Sequence, residues 1–177
     1  MSFNVIVIQA AVLAFSVSTS FARQAQPPRA EQPPTRSAQR ASLMDSVKRS
    51  LQRIGASIDS SRSSAQMVVS NYGDARNKAT IVIVNDRAKN LLGLYIYNFG
   101  NVKQESNREE ILEYLLNAND AITIGAFFVD NEHDIGYKYL MNIGQSLNQA
   151  SFEASYLMMA AVARDRRPEI RKMLEKQ

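Results

Sequence analysis

The chain of 177 residues is long enough for one ordinary globular domain, and a hydrophobic fraction of 45% is typical of a chain that folds around a core. It contains no cysteine, which excludes disulfide bonds, thiolate zinc sites and a cysteine nucleophile. The formal net charge is +4, but a surplus of three lies in residues 23–40, so the charge does not indicate the folded basic surface that nucleic-acid binding requires.

Residues 1–22 have the pattern of a cleavable signal peptide. An apolar run over residues 5–15 precedes small polar residues, and Ser20 and Ala22 suit the positions before a signal-peptidase cut. The run is shorter than a transmembrane helix requires. No lysine or arginine precedes it, so an uncleaved anchor and a misassigned start remain alternatives. We expect a periplasmic or secreted protein, with membrane association only if the segment is uncleaved.

Residues 23–40 are rich in proline, glutamine, alanine and arginine, and they include two Pro-Pro pairs. Such a segment buries too little apolar surface to offset its chain entropy, which predicts a disordered linker. A proline-rich ligand is the alternative, but no clean PxxP pattern is present. The folded domain is therefore assigned to residues 41–177.

An amphipathic helix is predicted from about Ser42 to Gly55, since apolar residues recur there at spacings of three and four. Three runs rich in β-branched and aromatic residues follow, separated by turn-forming residues, and they predict antiparallel strands. These strands are expected at residues 66–70, 80–85 and 91–99.

A second helix is predicted after Ser106 and Glu109, which have the spacing of a capping box, and it should end within residues 117–120. Residues 121–129 and 135–141 then predict a β-hairpin around the turn at 130–134. A last helix is expected from about Asn148, with Pro168 breaking it, kinking it or opening a second helix. The predicted fold is α+β, a five-stranded antiparallel sheet flanked by helices in the order α-β-β-β-α-β-β-α.

None of the sequence patterns matches a known catalytic, metal-binding or phosphate-binding motif in full. His133 is the only histidine, and the acidic turn around it departs from a calcium loop, with Gly136 one place late and Met141 at the twelfth position. Asn148 stands where a nucleophile elbow needs its second glycine. No phosphate-binding loop is present. We therefore predict no catalytic, cofactor-binding or metal-binding residues.

The last helix carries a pair of methionines that suggests a binding surface. Methionine adapts its shape to varied apolar partners, so Tyr156, Met158 and Met159 are the predicted partner-binding residues. Ordinary core filling by the same methionines is the alternative.

The second helix and the hairpin resemble the YbjN-like family of sensory-transduction regulators. The resemblance rests on the helix end at residues 115–119, the strand at 125–130 and the turn into Ile135. It is best over residues 107–141 and extends loosely over 42–175. It implies a fold like that of type III secretion chaperones, pairing of two copies, binding of other polypeptides and no catalysis.

The expected function is that of an exported, non-catalytic protein-binding module of the bacterial envelope, chaperone-like or regulatory. It should form a homodimer and bind a polypeptide partner, with no cofactor and no nucleic acid. Two alternatives remain open. One is an enzyme of unrecognised type that uses helix carboxylates such as Glu109 and Glu113, and the other is a structural scaffold of the envelope.

Overall fold

The computed structural model describes residues 36–103, 106–144 and 146–176, with side chains from residue 43 onward. The predicted signal peptide and the linker up to residue 35 lie outside the described residues. The first helix begins at Arg36, within the segment assigned to the linker. The elements are α1 (Arg36–Arg53), β1 (Ser57–Asp59), β2 (Met67–Tyr72), β3 (Ala79–Asp86), β4 (Leu91–Asn101), α2 (Arg108–Ala121), β5 (Ala126–Val129), β6 (Asp134–Asn142) and α3 (Gln149–Leu174).

The described residues form an α+β fold, as predicted, with an antiparallel sheet flanked by helices. The sheet has six strands, not five, in the order β1-β2-β3-β4-β6-β5. The additional strand is β1, in which Ile58 pairs with Ser70 of β2. A strand of three residues with one apolar side chain is too short to show an alternating pattern, so the sequence did not predict it.

The strand predicted at residues 121–129 is shorter than expected. Helix α2 continues to Ala121, and β5 begins only at Ala126. Gly125 has a φ of +74°, and a Cβ there would lie 2.6 Å from the carbonyl oxygen of Lys138. An extended strand cannot run through this left-handed position, which glycine adopts readily.

The predicted capping box of Ser106 and Glu109 is wrong. The residue at the N-cap of α2 is Asn107, and its side chain makes no capping hydrogen bond. Instead its Nδ2 donates to the carbonyl oxygen of Met173, 2.6 Å away at the end of α3. The Asn107 amide thus makes a tertiary contact with α3, while its Oδ1, the atom that would cap α2, has no partner among the described residues.

Helix α3 begins as predicted and continues through Pro168 to Leu174 without a break. The side chain of Asn148 caps it by accepting from the backbone N–H of Ser151 at 3.0 Å. Pro168 is exposed, and so is Arg164, whose carbonyl loses its helical donor. The carbonyl group left without a helical hydrogen bond therefore lies on the exposed side of the helix.

One face of the sheet forms the core with the three helices. A single row crosses all six strands on this face: Ile58, Ser70, Ile81, Ile96, Tyr137 and Phe127. The hydroxyl of Tyr156 on α3 lies 3.0 Å from that of Ser70, which joins the longest helix to this row. Within the described part of the chain, no helix is both long and apolar enough to span a membrane.

Candidate functional site: the open face of the sheet

The opposite face of the sheet carries large apolar side chains that remain accessible. Because side chains alternate along a strand, the neighbours of the core-facing residues point away from the helices. Tyr97 and Leu140 keep 41% and 48% of their surface exposed. We call the central part of this surface the open face and define it by the side chains of Met67, Val82, Val84, Tyr95, Tyr97, Phe128, Lys138 and Leu140.

Three aromatic rings on the open face form a continuous platform. The rings of Tyr95 and Tyr97 are stacked, with centroids 6.4 Å apart and planes 14° apart. The ring of Phe128 meets Tyr97 edge-on at 6.0 Å. Aromatic rings supply large, rigid contact area, and the tyrosines add a polar group at the edge.

Two glycines hold this platform close to the backbone. A Cβ at Gly93 would lie 2.6 Å from the Tyr95 ring, and a Cβ at Gly136 would lie 2.4 Å from the Phe128 ring. Each ring therefore lies directly against the backbone of a glycine, with no side chain between them. The result is a flat surface with few protruding groups.

The platform has few charged groups. Burial, helped by neighbouring Tyr95 and Asp130, raises the pKa of Tyr97 above its usual 10.0. Away from the strand ends, Lys138 is the one charged side chain that the described parts of β3, β4 and β6 place on this face. Its ammonium lies 5.1 Å from the centre of the Phe128 ring, within the range of a cation–π contact.

The two edges of the sheet are less accessible to a partner than the open face. In β5, the backbone N–H of Phe127 donates to Oδ1 of Asn119 at 2.6 Å, and Nδ2 of Asn119 donates to the Phe127 carbonyl at 3.2 Å. One side-chain amide thus occupies both groups that a further strand would pair with at this residue. The other edge is β1, with only three residues.

Two of the three predicted partner-binding residues lie in the core. Tyr156 and Met159 are fully buried under the sheet, so their role in the fold is packing, whereas Met158 keeps 40% of its surface exposed. Met158 lines a groove of about 330 Å³ with Ile122 and Ile124. Helical spacing explains the difference, because adjacent residues on a helix point about 100° apart.

The acidic residues considered in the sequence analysis have ordinary surroundings. Glu109 and Glu113 are exposed on α2. The carboxylates of Asp130, Glu132 and Asp134 come within 4.8 Å of one another, but Oδ1 of Asp130 accepts the backbone N–H groups of the other two. These bonds shape the hairpin turn, in which His133 has a φ of +66°.

Sequence reasoning missed the open face, although a signal was present. Strand β3 contains the unbroken apolar run Ile81 to Val84, and a run without alternation indicates that both faces of the strand are apolar. The same holds for the start of β4. No protein-family model matches the chain, and no curated protein matches it. Its fold and surface define an α+β domain with one helix-covered and one open aromatic sheet face.

Proposed function

We propose that this domain is a non-catalytic, chaperone-like binding module that holds extended apolar segments of other polypeptides on the open face of its sheet. The observation that carries the proposal is the accessible platform of Tyr95, Tyr97 and Phe128 next to Leu140. Exposed apolar patches of this kind mark interaction sites in soluble proteins. Aromatic side chains supply much of the binding energy at protein interfaces.

Recognition through side chains fits this surface better than addition of a strand. Asn119 occupies the backbone groups of Phe127 at one edge, and β1 offers only a short template at the other. Strand addition relies on such backbone groups for its affinity. A flat apolar face makes no backbone pairing and so tolerates many sequences, which suits a chaperone-like role.

The charge on the open face specifies the partner further. Lys138 is exposed and forms no ion pair with any described residue, and it stands beside the Phe128 ring. An apolar segment with a neighbouring acidic residue would place its carboxylate against this ammonium. Such a charge adds selectivity and speeds association more than it adds affinity.

Export to the periplasm or the medium is part of the same proposal. Its support is the signal-peptide pattern of residues 1–22. The proposed likeness to the YbjN-like family and to type III secretion chaperones rests on the sequence pattern of residues 107–141, and a homodimer is proposed on that likeness.

The test is fluorescence anisotropy with a labelled apolar peptide flanked by glutamates, compared with the same peptide flanked by lysines. The double variant Tyr97→Ala, Leu140→Ser should weaken binding roughly tenfold or more, because it removes two large exposed contacts. The control is Leu116→Ser on α2, whose side chain is 67% exposed and lies off the open face. Lys138→Glu should reverse the preference between the two peptides.

Two results would overturn the proposal. One is peptide binding that the double variant and the Leu116→Ser control weaken equally. The other is a wild-type protein that binds neither peptide but sediments as a dimer, which the double variant dissociates. In that case a second copy of the chain would be the occupant of the open face.

A further inference from the structure

Four arginines converge on one pocket at the opposite side of the domain from the open face. The pocket measures about 230 Å³ and lies between the β2–β3 turn and the second half of α3. Arg164, Arg167 and Arg171 follow one stripe of α3 at spacings of three and four, and Arg76 faces them from the turn. No carboxylate lines this pocket.

The turn that carries Arg76 is tightly built. Oδ1 of Asp74 accepts the backbone N–H groups of Arg76 at 2.8 Å and of Asn77 at 2.9 Å. Gly73 has a φ of +96°, and a Cβ there would lie 2.7 Å from the carbonyl oxygen of Asn77. Glycine is required by this close approach, and the turn therefore fixes the backbone of Arg76.

Arg167 is the best-positioned of the four. Its Nη1 donates to the carbonyl oxygen of Lys78 at 2.9 Å, and its guanidinium lies 5.5 Å from the centre of the Phe99 ring. Its Nε is buried and has no hydrogen-bond partner among the described residues. A buried N–H group usually has an acceptor, so a water or an anion is expected near this nitrogen.

The positive charge in this pocket is mostly uncompensated. Arg164 pairs with Asp165 at 2.7 Å, but Arg76, Arg167 and Arg171 form no ion pair with any other described residue. Burial, with the nearby charge of Arg171, lowers the pKa of Arg167. The charge of Arg171 disfavours the charge on Arg167, and an anion between them would reduce that repulsion.

We propose that this pocket binds a phosphate group, carried either by a soluble ligand or by an anionic lipid. Guanidinium groups offer paired N–H donors that match phosphate oxygens, and clusters of arginine are a recurrent way to bind that group. Arg76, Arg164, Arg167 and Arg171 all line the pocket, and three of them have no carboxylate partner among the described residues, so their guanidinium groups are available to a bound anion. This site is independent of the open face and of the function proposed for it.

The test is isothermal titration of the full domain with inorganic phosphate, together with sedimentation with vesicles of phosphatidylcholine that do or do not contain phosphatidic acid. The double variant Arg76→Ala, Arg171→Ala changes two exposed side chains, and Arg167→Lys keeps the charge but removes the planar fork. Each should weaken binding roughly tenfold or more. The control is Arg87→Ala in the β3–β4 turn, about 26 Å away along β3 at ~3.3 Å per residue.

Binding of free phosphate alone would identify a soluble ligand, and binding only to vesicles with phosphatidic acid would identify a lipid headgroup. The proposal fails if the wild-type protein binds neither probe. It also fails if Arg87→Ala weakens binding as much as the pocket variants do, because the attraction would then be that of net charge alone. Peptide binding at the open face should be unchanged in every pocket variant.

Discussion

At the scale of single residues, the pair of Tyr156 and Ser70 shows how a polar group is accommodated in this core. Ser70 donates to the carbonyl oxygen of Ile81 at 3.2 Å, so the Tyr156 hydroxyl is left to donate to Ser70. Both hydroxyls are thereby satisfied although both residues are fully buried. A buried polar pair of this kind stabilises the fold only while its protons stay in place.

The Tyr156 hydroxyl should make the fold sensitive to alkali. Burial is the main cause that raises its pKa to about 12, against 10.0 for an unperturbed tyrosine. Between these values the folded state holds a proton that the unfolded state has lost. The contribution is therefore fully present below about pH 10 and is lost as the pH rises through 12. Two pKa units correspond to about 2.7 kcal/mol.

The measurement is the free energy of unfolding in urea as a function of pH. Tyr156→Phe should cost about 1 kcal/mol at neutral pH through the lost hydrogen bond. It should then reduce the alkaline loss, leaving a part of similar size due to Tyr137, whose pKa burial also raises to about 12. An unchanged alkaline slope in the variant would show that Tyr156 is not the titrating group.

Adjacent methionines on α3 should respond very differently to the same substitution. Met158→Asp should change the free energy of unfolding by about 0.5 kcal/mol or less, because the side chain is 40% exposed. Met159→Asp would bury an unpaired charge and should cost more than about 4 kcal/mol, or prevent folding. Thermal melts of the two variants test this. Unfolding of the Met158→Asp protein would remove any surface role for Met158.

At the scale of elements, the edge strand β5 is protected by a side chain from the helix before it. Phe127 occupies a non-hydrogen-bonded position opposite Tyr137 in the β5–β6 ladder, so its backbone N–H and C=O face away from β6 and need another partner. The side-chain amide of Asn119 supplies the acceptor for the N–H group and the donor for the carbonyl group. An edge that lacked this amide would be open to pairing with another chain.

Asn119→Ala should therefore destabilise the domain and promote self-association. Two outward backbone groups would lose their partner, at a cost of about 1–3 kcal/mol. Urea unfolding and light scattering on heating are the measurements, with Asn117→Ala on an exposed position of α2 as the matched control. Equal stability and equal scattering in the two variants would mean that the Asn119 amide does not protect the edge.

At the scale of the whole molecule, the described domain presents two surfaces of different chemistry on opposite sides. The open face is apolar and nearly neutral, whereas the pocket on α3 is lined by four arginines and no carboxylate. Because the pocket variants and the open-face variants change different residues, the two proposed binding activities can be tested separately.

The export prediction also belongs to the whole molecule. If the signal peptide is cleaved after Ala22, the mature protein begins at Arg23. Cell fractionation followed by mass measurement of the amino terminus tests this, and we expect the mature form in the soluble envelope fraction. An intact Met1 in the membrane fraction would indicate an uncleaved anchor, and an intact Met1 in the cytoplasm would contradict export.

The sequence by itself was sufficient for the class of fold and for most elements, because hydrophobic periodicity and turn residues act over a few neighbouring positions. The start of α3 and the strands β2, β3, β4 and β6 were predicted near their actual bounds. The start of α1 was placed too late, near Ser42 instead of Arg36. The other failures were the short β1, the cap of α2 and the start of β5, and each of these depends on a partner distant in sequence.

Only the tertiary structure decided which apolar residues are accessible. Tyr95 and Ile96 are neighbours with similar sequence signals, yet one lies on the open face and the other is fully buried. Which face of the sheet the helices cover is set by the packing of α1, α2 and α3, not by local pattern. The arginine pocket has the same origin, since the turn bearing Arg76 and the stripe of α3 lie about 90 residues apart in the chain.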